Sequence, residues 1–155
     1  MAILYMLCGP SGCGKSTWAH RFMEDTEVQY VSRDEIRFSM LKEGDDYFAH
    51  EKEVFRKFVN AIRQALIEDK NVIADATHLN EFSRRKLTQA IDMQFSGYQI
   101  VYVVFRVDVE TCIERNANRS GRANVPNTVI RNMCRDFHEP SFDEDERVVE
   151  VYYVG

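Results

Sequence analysis

The stretch Gly9-Pro10-Ser11-Gly12-Cys13-Gly14-Lys15-Ser16 constrains this chain more than any other. It has the spacing G-x-x-x-x-G-K-[ST], with the apolar run 2–8 before it and the helix-forming run 15–24 after it. Such a loop points several backbone N–H groups at one place, in conformations that a Cβ would disfavour. That is a cradle for phosphates, with Lys15 as a point charge for the β- and γ-phosphates and the Ser16 hydroxyl for Mg²⁺. The expected nucleotide-binding residues are Gly9, Ser11, Gly12, Cys13, Gly14, Lys15, Ser16 and Thr17. A bare glycine turn is disfavoured because the strand and helix that the motif needs are both present.

The rest of the chain alternates in the same way. Short apolar, β-branched runs at 28–32, 71–75, 98–107 and 147–154 predict four more strands. Between them lie helical signals. Ser32 and Glu35 have capping-box spacing, and residues 51–69 carry Val54, Phe55, Phe58, Val59, Ile62 and Leu66 on one stripe. Asn80 is suited to cap a helix running to about Phe95, a shorter helix spans about 108–118, and Pro126 opens another as its first residue. Alternating strands and helices imply right-handed crossovers, hence an α/β fold in three layers: a five-stranded parallel sheet with helices on both faces. Ligands in such folds sit beyond the carboxyl ends of the strands, where Gly9–Thr17, Asp34–Arg37 and Asp75–Asn80 fall. The length of 155 residues and the unbroken pattern predict one domain, 1–155, with a loop-borne lid at about 115–128.

A net charge of −5 argues against a surface that grips nucleic acid everywhere, though not against a local basic site. The charge is segregated: Arg115, Arg119, Arg122, Arg131 and Arg135 have no acid among them, whereas five acids and no base lie in 139–146. Four cysteines without a CxxC pair suggest reduced thiols and a cytoplasmic setting. The opening run reads as a strand and not a targeting peptide, no segment has membrane-spanning length, and the four histidines lack metal-ligand spacing.

Three groups of polar residues bear on chemistry. Asp75, at a strand end, is placed to hold Mg²⁺ with Ser16, or to form a turn. Asp34 and Arg37, three apart on a helix, form a surface ion pair or supply the carboxylate that takes a hydroxyl proton and the cation that holds the acceptor. Arg119 and Arg122 make a solvated basic loop or a lid that offsets charge on a transferring phosphoryl group.

The runs GPSGCGKSTWA, SRDEIR, VIADATHLN, ERNANRSGRANVP and FHEP, in this order and spacing, resemble the P-loop kinase family that includes the kinase domain of polynucleotide 5'-hydroxyl kinase. The resemblance covers nearly the whole chain and implies a P-loop NTPase fold with ATP and Mg²⁺ as cofactors. It further implies Asp34 as general base, Arg37 as the arginine that recognises an acceptor phosphate, and Arg119 as the lid arginine. The family often places glycine directly after that arginine; here Ser120 intervenes and Arg122 follows Gly121. The implied activity is transfer of the γ-phosphate of ATP to a hydroxyl, foremost the 5' end of a nucleic acid. A kinase of a small hydroxylated metabolite or antibiotic and a non-catalytic nucleotide-dependent switch are the rival readings.

Overall fold

The computed structural model describes residues 1–119 and 124–155. In chain order these form β1 (Ile3–Cys8), α1 (Lys15–Asp25), β2 (Gln29–Ser32), α2 (Arg33–Met40), α3 (Glu51–Ile67), β3 (Val72–Asp75), α4 (Glu81–Asp92), β4 (Gln99–Phe105), α5 (Val109–Ala117), α6 (Asn127–Asp136) and β5 (Val148–Val154). A turn of 3-10 helix, Phe142–Glu144, precedes β5. All five strands pair in parallel, in the order β2-β3-β1-β4-β5.

The period-two alternation of the strands divides the core in two. Leu4, Met6, Ile100, Tyr102 and Val104 face α3 and α4, meeting Phe58, Ile62, Leu66, Leu87 and Ile91. Leu7, Ile73, Val101, Val103 and Phe105 face α1, α5 and α6, meeting Ala19, Cys112 and Ile130. Each fully buried aliphatic side chain adds about 1.5–3 kcal/mol, so both faces are needed. The predicted three-layer arrangement is therefore the observed one.

Local signals set most element ends. Ser32 caps α2 by accepting from the Glu35 amide at 3.2 Å, and Asn80 caps α4 through a reciprocal pair with Ser83. Asp108 caps α5 by accepting from the Thr111 amide at 2.9 Å. Two boundaries differ from expectation. Pro126 stands at the cap before α6 with extended ψ, so the helix starts at Asn127; α4 stops at Asp92, three residues before Phe95. The Phe95 amide still reaches the Ile91 carbonyl, so the chain leaves the helix through a turn.

One member of the acidic run is structural. Glu144 is buried and pairs in bidentate fashion with Arg84 of α4, itself 1% exposed, whose remaining nitrogen donates to the His78 carbonyl. This buried pair ties the segment before β5 to the loop that follows β3.

Candidate active site

Register brings the site together. β1 lies between β3 and β4, so the loop after β1 emerges beside the end of β3, and the Gly9 amide donates to the Thr77 carbonyl at 2.9 Å. β2 pairs with β3 so that Ser32 is level with Asp75, which sets the start of α2 at the same rim. Within the loop, Gly12 and Gly14 have φ of 82° and 97°. A Cβ on Gly12 would fall 2.5 Å from the Cys112 carbonyl oxygen, so both backbone conformation and the close approach of α5 demand glycine. Arg115 of α5 donates to the Cys13 carbonyl at 3.1 Å, a brace from outside the motif.

Lys15 is buried, and its ammonium donates to the carbonyls of Gly9 and Pro10 at 2.8 Å each. An ammonium has three N–H donors, so these two contacts aim the charge across the loop. Cys13 is 2% exposed; the thiol fills the interior of the loop.

Ser16 and Asp75 meet at the rim of the glycine loop. The serine Oγ lies 3.0 Å from the aspartate Oδ2, and the pair supplies the hard oxygen donors that Mg²⁺ takes. Tyr30, absent from the sequence expectations, donates its hydroxyl to the same Oδ2 at 2.5 Å. Burial and the adjacent carboxylate raise the Tyr30 pKa, so the phenol keeps its proton and remains a donor. Among the described residues no cluster of three or more His, Cys, Asp or Glu could hold a metal.

His78 adopts φ of 43° and its Nδ1 sits 2.6 Å from the Leu7 carbonyl oxygen. Burial drives its pKa down to about 3, so the ring is neutral and Nδ1 carries the donated proton. Asn80, at the same turn, is spent on capping α4.

Asp34 and Arg37 are joined to each other, and the pair is more than a surface contact. The Arg37 side chain is only 8% exposed and makes a two-pronged bond to Glu51 at the start of α3, 2.8 and 2.7 Å long. Tyr47 donates to Asp34 Oδ1 at 3.1 Å and accepts from Arg37 at 3.0 Å. Burial alone would depress the Arg37 pKa; the bonds to Glu51 and the neighbouring Tyr47 and Asp34 outweigh it and raise the value. The same bonds lower that of Glu51, while burial and Asp34 push Tyr47 up to about 12. Asp34 itself is 53% exposed and so remains open to an incoming group.

A cavity of about 820 Å³ is lined by Ser11, Lys15, Ser16 and Asp75 together with Asp34, Arg37 and Arg119. The other loop residues expected to hold nucleotide, Gly9, Gly12, Cys13, Gly14 and Thr17, lie outside that lining, and the Thr17 side of α1 is exposed. Arg119 follows α5, where the buried Asn116 bonds to both the N–H and the carbonyl of Val125 at 3.0 and 2.6 Å and so ties α5 to the chain just before α6. Arg122 lies outside the described residues.

Comparison with known proteins agrees with this geometry. An adenylate kinase of Encephalitozoon cuniculi (strain GB-M1) is 28% identical over 155 residues, 95% of this chain and 81% of that protein. A chain of the Pnkp1/Rnl/Hen1 RNA repair complex superposes with a TM-score of 0.74 at 23% identity. The match covers 87% of this chain and 43% of that one, so the present chain spans less than half of that structure. A sugar kinase from Janibacter sp. HTCC2649 gives 0.68 at 15% identity, covering 99% of this chain and 86% of the other; a fungal RNA kinase gives 0.68 at 12%, covering 99% and 74%. At these identities the solved structures establish a shared fold. A family model described as an AAA domain matches residues 4–140, and with its glycine loop and parallel sheet order the chain belongs to that family.

Proposed function

We propose that the protein transfers the γ-phosphate of ATP to the 5'-hydroxyl of a polynucleotide. The observation that carries this reading is that Asp34 and Lys15 line one cavity, with Arg37 held nearly buried beside the carboxylate. Asp34 takes the proton of the acceptor hydroxyl as the new oxygen–phosphorus bond forms and the bond to the β-phosphate oxygen breaks. Arg37, steadied by Glu51, holds the phosphate that follows the acceptor nucleoside. Lys15 and Arg119 offset the charge that accumulates on the migrating group, with Arg122 as a second lid cation for the nucleotide. Ser16 and Asp75 would hold Mg²⁺, which would offset part of the charge of the phosphates. The fold and the RNA kinase and RNA repair relatives support this choice of acceptor.

The adenylate kinase relative favours a second reading, in which the acceptor is the phosphate of a nucleoside monophosphate held by Arg37. In that case there is no hydroxyl proton for Asp34 to take. The test is transfer from γ-labelled ATP with Mg²⁺ to 5'-hydroxyl oligonucleotides, AMP, nucleosides and sugars. Label on oligonucleotides, removed by Asp34→Ala while ATP binding stays near normal, is the expected result. Label on AMP or sugars alone overturns the polynucleotide assignment, and full activity of Asp34→Ala overturns its role.

A further inference from the structure

The loop between α2 and α3 places two aromatic residues at the Asp34 side of the cavity. Tyr47 is half-buried: its ring lies under the Arg37 guanidinium, 4.6 Å from ring centre to carbon, and its hydroxyl bonds Asp34. Phe48 stands edge-on to Tyr47, with ring centres 4.7 Å apart and planes at 81°, yet it is 62% exposed. A phenylalanine left mostly in water while lining a cavity is unspent apolar surface. Val129 and Met133 of α6 add apolar wall to the same cavity.

The charges there discriminate between occupants. Asp45 and Asp46 line the cavity on the same loop, which makes that end hostile to a bare phosphate but indifferent to a neutral ring. Arg37, by contrast, is a cation beside the aromatic pair, 5.8 Å from the Phe48 ring centre. A group that fits both has a flat uncharged face and an anion one sugar away.

We infer that Phe48, buttressed by Tyr47, is a stacking platform for the nucleobase of the acceptor's terminal nucleoside. This rests on the polynucleotide reading above and adds to it that the base is required although its identity is not, since every base offers a π-face. The platform also sets the sugar: with the base on Phe48 and the next phosphate on Arg37, the 5'-hydroxyl is directed toward Asp34.

The test compares a 5'-hydroxyl trinucleotide with the same molecule made abasic at its first position. Equilibrium binding and labelling are measured on the wild-type protein, Phe48→Ala and Phe48→Trp. The wild type should bind the intact trinucleotide roughly ten- to a hundred-fold more tightly than the abasic one. The gap should vanish in Phe48→Ala, survive in Phe48→Trp, and persist when the first base is changed among the four. Unchanged ATP binding in both variants shows that they fold. Equal binding of intact and abasic trinucleotide by the wild type, or a gap indifferent to Phe48→Ala, overturns the platform. Should the wild type label both trinucleotides equally, the platform fails and the phosphotransfer reading stands. A wild type that binds by the base yet labels neither leaves the platform standing and refutes the phosphotransfer reading, whereas binding of neither refutes both.

Discussion

At the scale of single residues, His78 makes a prediction that does not depend on the reaction. The folded protein holds this ring neutral with a pKa near 3, against about 6.5 in an unfolded chain. Between those values the unfolded state binds a proton that the folded state does not, so this residue's contribution is fully present above pH 6.5 and is lost as pH falls through the window. The effect is on the order of a few kcal/mol at pH 4. Asparagine tolerates the positive φ, so His78→Asn should lose less stability than the wild type between pH 7 and pH 4, read by urea denaturation at each pH. Equal losses would mean that the ring titrates normally. Other residue-scale features were visible in sequence only in part. Asp75 and Ser16 carry their meaning in a motif and a strand end, whereas Tyr30, which bonds the same carboxylate oxygen, lies 45 residues away from Asp75 and belongs to no local pattern.

At the scale of elements, the start of α6 depends on α5. Asn116 is 1% exposed and uses both its amide groups on Val125, joining the helix to the chain just before α6. Asn116→Ala removes those bonds, and stability should fall by about 1–3 kcal/mol in chemical denaturation. Because Lys15 and the glycine loop are untouched, ATP binding should be kept while the turnover number for phosphotransfer drops. A variant of full stability and unchanged turnover would show that the junction of α5 with α6 is held by other contacts. Helix and strand positions were legible because periodicity and caps act within a few residues: Ser32, Asn80 and Asp108 each bond an amide three positions on. The C-terminal end of α4 and the role of Pro126 were less so, because packing decides how far a helix runs after its cap.

At the scale of the whole molecule, charge distribution matters more than net charge. The protein is acidic overall, and the cavity wall sets Lys15, Arg33, Arg37 and Arg119 among Asp34, Asp45, Asp46, Glu51 and Asp75. Binding of an oligonucleotide acceptor should weaken as salt rises, with a log–log slope of about −0.7 for each phosphate contacted on a single strand. One phosphate on Arg37 gives the smallest slope compatible with the proposed reaction. An acceptor affinity indifferent to salt, measured by equilibrium titration from low to moderate ionic strength, would place the acceptor among uncharged small molecules.

The chain's own order of residues determined the phosphate loop, the parallel α/β architecture and the rim on which Asp34 and Asp75 stand. These follow from short-range causes: alternation along strands, stripes on helices, and glycines where a Cβ cannot fit. What only the tertiary structure decided is which distant groups meet. Glu51 became the partner that buries Arg37, Arg115 braced the loop through Cys13, and Phe48 came to line the same cavity as Asp34. Such encounters depend on strand order and on how α2 settles against α3, and those are fixed by burial on both faces of the sheet at once rather than by any one segment.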